Sequence, residues 1–224
     1  MELRHFDRQL TALDVHIAEM VTLVDKALVI ACEGLLAPYH EVREVARVVE
    51  SRVDALDSAI EETSQVLMAL QAPVAADLRR LLSTMRIAVV LENLGDEAEN
   101  IAKRARYLAR HQIPVIPAVV SELIAATLAA YRRAVPVLGS GDIEAARAVK
   151  ALEIETDRLA KLCYQALGVA MKVDLDHLAE HAHLLRAVGR LEHAADLCVE
   201  LVETAVFLHS GVSIRHRHKT MALP

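Results

Sequence analysis

Two short acidic motifs recur in this chain at a fixed distance. LENLGDEAENIA carries Glu92 and Asp96, and LEHAADLCVEL carries Glu192 and Asp196, an offset of 192 − 92 = 100 residues. A second pair repeats in the same order: Glu50 and Asp54 in VESRVDALD, then Glu153 and Asp157 in LEIETDRLA, offset by 153 − 50 = 103. Four residues make about one helical turn, so each pair places two carboxylates on one helix face, roughly 6 Å apart. Two such pairs facing each other offer four carboxylates around one point. Hard divalent cations, iron and manganese take oxygen ligands of this kind, whereas closed zinc sites favour Cys and His.

Spacing alone is weak evidence. With 31 Asp and Glu in 224 residues, chance gives on the order of four acid pairs at this separation, and the chain has seven, among them Asp57/Glu61, Asp176/Glu180 and Asp196/Glu200. The information lies in register, because both halves carry two pairs in the same order. The competing reading is neutralisation across helices by Arg52, Arg104, Arg158, Lys161 or Arg190.

The elements that must hold these acids are helices. Ala, Leu, Val, Glu and Arg dominate, with seven Gly, two Phe and no Trp, a composition of long helices rather than sheet. Apolar periodicity predicts helices over about 5–36, 41–70, 73–110, 118–138, 143–172 and 174–209, with Pro73 in the first turn of the third. Asp142 is a fair N-cap for the fifth. The proline-bearing HQIPVIP stretch separates residues 1–111 from 117–210, and 211–224 reads as a flexible tail. Short loops make consecutive helices antiparallel. The expected fold is therefore all-α, a tandem duplication of three-helix bundles, end to end or side by side.

Other chemistries find little support. The net charge of −6 disfavours a nucleic-acid partner. Cys32, Cys163 and Cys198 sit in apolar helical patterns and read as core residues in a reducing compartment. No secretory leader or apolar membrane span is evident, so a cytoplasmic protein is expected. His177, His181 and His183 read as surface histidines, as do His216 and His218. Glu180 and His183 form one ExxH, but Arg80 and Ser83 stand at the matching positions of the first half, against a ferritin-like di-iron oxidase. Glycine-rich phosphate loops, GxSxG, HExxH and CxxC are all missing. Glu61-Glu62 is followed by Thr-Ser-Gln, which breaks the acidic pattern of helical nucleotide pyrophosphohydrolases.

ALQAPVAADLRRLL (69–82) leading into VVLENLGDEAENIAKRA (89–105), with a second copy in LLRAVGRLEHAADLCVEL (184–201), resembles the PhoU family of phosphate-signalling proteins. The resemblance covers roughly residues 1–210 and implies a duplicated three-helix bundle whose metal ligands are Glu50, Asp54, Glu92, Asp96, Glu153, Asp157, Glu192 and Asp196. It implies metal cofactors: multinuclear iron clusters in some members, zinc, manganese or magnesium in others. It further implies a homodimeric, non-enzymatic adaptor that restrains phosphate uptake and the starvation response through the phosphate ABC transporter ATPase and a sensor histidine kinase. The alternative is a helical metalloenzyme, a hydrolase or oxidase with a carboxylate site. Two departures stand out: Asn93 follows the first Glu where the family favours Arg or Lys, and Glu200 replaces Asn100 as an extra potential ligand in the second copy.

Overall fold

A computed structural model describes residues 2–111 and 115–214; Pro114, His216 and His218 lie outside them. Six helices follow in order: α1 Glu2–Leu36, α2 Val42–Gln71, α3 Ala76–Ala109, α4 Ala118–Ser140, α5 Ile143–Val173 and α6 Leu178–Ser210, with a single 3-10 turn, Leu175–His177, before α6. Helices α1, α2 and α3 pack on one another, as do α4, α5 and α6. The two triplets lie side by side, joined chiefly by α3 against α6 and more lightly by α1 against α4.

Burial patterns follow from these positions. On α2 the buried residues Val42, Ala46, Val49, Val53, Leu56, Ile60, Ser64 and Leu67 recur every third or fourth position, the single, almost wholly apolar stripe of an outer helix. On α3 and α6 burial spreads around most of the circumference, because each packs against its own bundle and the other one. One continuous apolar core results, from Leu13 and Met20 through Leu91, Leu94 and Ile101 to Leu191 and Leu201. Each such side chain contributes about 1.5–3 kcal/mol when fully buried. The three cysteines are buried and free, and burial pushes the Cys32 and Cys198 thiols up to about 12. They are core residues. Tyr131 of α4 is fully buried and donates its hydroxyl to Val21 O of α1 at 2.7 Å, pinning the bundles together.

Two helix starts differ from the sequence expectation. Helix α3 begins at Ala76 rather than at Pro73. Ala72 and Ala75 adopt φ of 42° and 48°, so the chain reverses through left-handed backbone before helical bonding begins. A proline is tolerated at a first helical position but does not force one. Helix α6 begins at Leu178 rather than near Asp174. The Asp174 carboxylate meets His177 Nδ1 at 2.8 Å and His181 Nε2 at 3.3 Å instead of capping backbone amides. Asp142, by contrast, accepts from the N–H groups of Glu144 and Ala145, as an N-cap should.

Gly34 lets α1 and α2 meet closely. A Cβ built there would stand 2.3 Å from Val42 Cγ2 and 3.6 Å from Ala105 Cβ. Helix propensity favours Gly34→Ala by about 1 kcal/mol, but overpacking a core costs about 1–3 kcal/mol, so the clash should win. Gly34→Ala is expected to lower the midpoint of thermal unfolding, and adding Val42→Ala should recover part of the loss relative to Val42→Ala alone. A single variant as stable as the parent would refute this account of the α1–α2 contact.

Candidate metal centre

Pairing along α2–α3 fixes the first acidic face. Arg43 donates to Glu99 at 2.8 Å and Arg106 meets Glu44 at 3.0 Å, an antiparallel register that sets Glu50 and Asp54 opposite Asp96 and Glu92. Gly95 packs on Val53, with only 3.6 Å from an added Cβ to Val53 Cγ1, so the helices approach closely beside the acids. The second face lies between α5 and α6, which pack together in the second triplet.

The faces differ in compactness. On the second, ligand oxygens of Glu153, Asp157 and Asp196 all lie within 4.8 Å of one another, the one such group among the described residues. Glu192 stands aside: Tyr164 of α5 donates its hydroxyl to Glu192 Oε2 at 3.0 Å. Gly189 makes room for it, since a Cβ there would stand 3.2 Å from that hydroxyl. Lys150 Nζ sits 2.7 Å from Glu153 Oε2, outside hydrogen-bond alignment, and that buried oxygen has no hydrogen-bond partner. On the first face Glu50 and Asp54 share a hydrogen bond, and Asp57 and Glu99 join the acids through repulsion.

Electrostatics report the crowding. Burial first, then the charge of Asp54 and their shared hydrogen bond, push the Glu50 carboxyl up to about 7. Burial and neighbouring carboxylates also raise Glu92 and Asp96, and Asp57 by the same causes. Asp196 is raised by burial, then by Glu153 and Asp157, with His193 opposing. Like charges without intervening cations disfavour ionisation.

Cross-helix neutralisation fails as an explanation. Arg52 pairs with Glu19, Arg158 with Glu155 and Arg190 with Glu97, while Arg104 and Lys161 make no ion pair among the described residues. None of the five reaches any of the eight acids. The second face therefore fits an oxygen-liganded cation: three converging carboxylates, no Cys or His in the trio, and Lys150 at Glu153 Oε2 as the one cation paired with them among the described residues.

Several expectations are corrected. In the second set three acids converge, and the fourth, Glu192, is held by Tyr164. Glu200 turns to the seam, where Arg86 of α3 meets its Oε1 at 2.6 Å. Of the histidines near the start of α6, His181 is buried at 1% exposure and His183 stacks on Tyr107 at a centroid distance of 3.6 Å, so neither is a free surface residue. Asp57, Lys150 and Tyr164 belong to the faces and went unpredicted. Asp57 lay within a background acid pair, and nothing in the sequence pointed from Tyr164 to Glu192.

Six antiparallel helices in two like triplets, each with an acidic groove between its second and third helix, define a duplicated helical-bundle protein of the carboxylate-face type. The PhoU domain family model matches residues 17–105 and again 120–205, and this chain belongs to the PhoU family. A Zymomonas mobilis protein named phosphate-specific transport system accessory protein PhoU homolog is 31% identical over 222 residues, covering 95% of this chain and 90% of that one. The crystal structure of PhoU from Pseudomonas aeruginosa superposes with a TM-score of 0.87 at 23% identity, covering 92% of this chain and 100% of the other. The phosphate transport system regulatory protein PhoU from Streptococcus pneumoniae gives 0.84 at 22% identity, covering 93% and 99%. These relatives are named as accessory or regulatory proteins, not as enzymes.

A protonated Glu50 favours the fold. Its stabilisation is complete below about 4.5 and is lost as pH rises through about 7. Metal-free protein should thus lose thermal stability across that interval, and Glu50→Gln, permanently neutral, should flatten the decline. Parallel profiles for the two proteins would contradict the assignment.

Proposed function

We propose that this chain is a metal-binding regulatory adaptor that negatively regulates phosphate uptake and the phosphate-starvation response. It acts in the cytoplasm as a homodimer, on the ATPase of a phosphate ABC transporter and on the partner sensor histidine kinase. Its units are residues 1–111 and 117–210, each with one acidic face. The carrying observation is the family membership together with relatives named for phosphate-specific transport. Among the described residues no helix is long and apolar enough to cross a membrane, which fits an accessory that reaches membrane partners from outside the bilayer.

The metal role is supported by the donor set. Glu153, Asp157 and Asp196 would hold a cation on the second face, with Glu192 held close by Tyr164. Glu50, Asp54, Glu92 and Asp96 would do so on the first. Magnesium, manganese or iron suits all-oxygen donors, including iron as a multinuclear cluster; zinc suits them less. The bound cation would cancel repulsion between the paired helices of each bundle, which makes it a means of stiffening the adaptor. The two faces would differ in affinity, because only the second has three acids already drawn together.

Metal analysis of tag-free protein tests the first part. Content should collapse when Glu92, Asp96, Glu192 and Asp196 are all changed to Ala, and negligible metal in the parent would defeat the reading. Tyr164→Phe should release Glu192 to join the trio and tighten metal binding at the second face, and leave the first face unchanged. For the regulatory part, cells lacking the protein should take up more phosphate in phosphate-replete medium. Unchanged uptake would count against the adaptor.

A further inference from the structure

The hundred-residue offset maps one end of the α3–α6 seam onto the other, and the two ends carry opposite charge patterns. At one end Arg86 of α3 pairs with Glu200 of α6 at 2.6 Å, with Glu203 and Thr204 alongside. The counterpart of that pair is Arg186 of α6 with Asn100 of α3. Lys103 stands where Glu203 does, and Arg104 where Thr204 does. One arginine with two glutamates has become three cations with an amide.

Among the described residues no ion pair answers these cations. Neither Arg104 nor Arg186 forms an ion pair among the described residues, and Arg104 Nε is buried without a hydrogen-bond partner. Of the nearby carboxylates, Glu99 pairs with Arg43 at 2.8 Å and Glu97 with Arg190 at 3.1 Å, while Glu180 lies near enough to His183 to oppose the arginine charges. His183 stacks on Tyr107 at 3.6 Å, and His111 stacks on its other face at 4.1 Å, a wall of three rings beside Arg104. Burial together with the charges of Arg104 and Arg186 keeps the His183 ring below its usual range, and Arg186 and Arg190 also press Arg104 downward.

We propose that Arg104, Arg186 and Asn100 form a binding site for a phosphoryl-type oxyanion at this end of the seam, separate from the acidic faces. Guanidinium groups present forked donors that match paired oxygens of a tetrahedral oxyanion, and the Asn100 amide adds a neutral donor where a glutamate would repel. A dianion would supply the negative charge that Glu200 supplies internally at the opposite end. Free inorganic phosphate and a phosphorylated lipid headgroup share this chemistry. The site stands or falls independently of the metal and regulatory readings.

Full-length protein, stripped of metal by chelator, would be titrated calorimetrically with inorganic phosphate at ionic strength held constant by chloride. It would also be tested for sedimentation with vesicles containing phosphatidic acid. Asn100→Glu should pair with Arg186 as Glu200 pairs with Arg86, preserving the fold while weakening binding by about tenfold or more, as loss of charge-assisted bonds does. Arg186→Ala should do the same, and Arg86→Ala at the opposite end should bind as the parent does. Saturable phosphate binding with this variant pattern supports a free-anion site; vesicle binding with the same pattern supports a headgroup site. Failure to bind either probe, equal displacement by chloride, binding unchanged in Asn100→Glu, or capture of polyglutamate alone would overturn the proposal.

Discussion

The antiparallel packing of α3 against α6 governs the rest of the molecule. Contacts from Arg86–Glu200 through Glu97–Arg190 to Tyr107–His183 run the full length of the two helices in one register. Because each helix is third in its bundle, this one interface buries the inner sides of both repeats at once. A three-helix bundle alone would leave in water the side of α3 that packs on α6. Closing the seam also turns the groove between α2 and α3, and that between α5 and α6, toward solvent. Those grooves are where the acids can stay hydrated.

Much of this order was legible in the sequence because helical periodicity and duplication are local and repetitive signals. Six helices, their boundaries within a few residues, the core role of Cys32, Cys163 and Cys198, and the Asp142 cap all followed from pattern. What escaped depended on side chains from other helices. Whether Glu200 turns to the acidic face or to Arg86 is decided by what α3 presents opposite it. Whether Glu192 completes the quartet is decided by Tyr164, whose hydroxyl would stand 3.2 Å from a Cβ at position 189. Periodicity places a residue on a helix face but does not name its partner. The buried His181 shows the same limit, since Asp174 lies on a different element and makes its burial tolerable.

Duplication left the apolar frame alike in both halves while the polar positions diverged. Acids at 50, 54, 92 and 96 match those at 153, 157, 192 and 196, but their surroundings do not. On the first face Asp57 adds charge where the second half has Ala160. On the second face Tyr164 stands where the first half has Glu61, turning a repulsive neighbour into a hydrogen-bond donor. The second face can thus gather three oxygens within 4.8 Å, while the first spreads a larger charge over more residues. Equal backbones with unequal charge give two faces of different cation demand.

The same logic explains why the seam can tolerate an imbalance of charge at one end. Apolar contact along α3–α6 supplies the association energy, so polar residues at its ends are free to vary within a kilocalorie or so, the range of an exposed ion pair. The Arg86–Glu200 pair is such a surface contact, with side chains 45% and 36% exposed. Its replacement by Arg186 and Asn100 at the opposite end costs little in stability, yet it alters the electrostatic field there completely. Arg104 and Arg186 stand together on a chain of net charge −6. A local positive patch against an acidic background steers anions to that patch rather than to the surface at large. The structural role of the seam and its recognition role are therefore separable, the first carried by buried Leu, Val and Ala, the second by the residues at its rim.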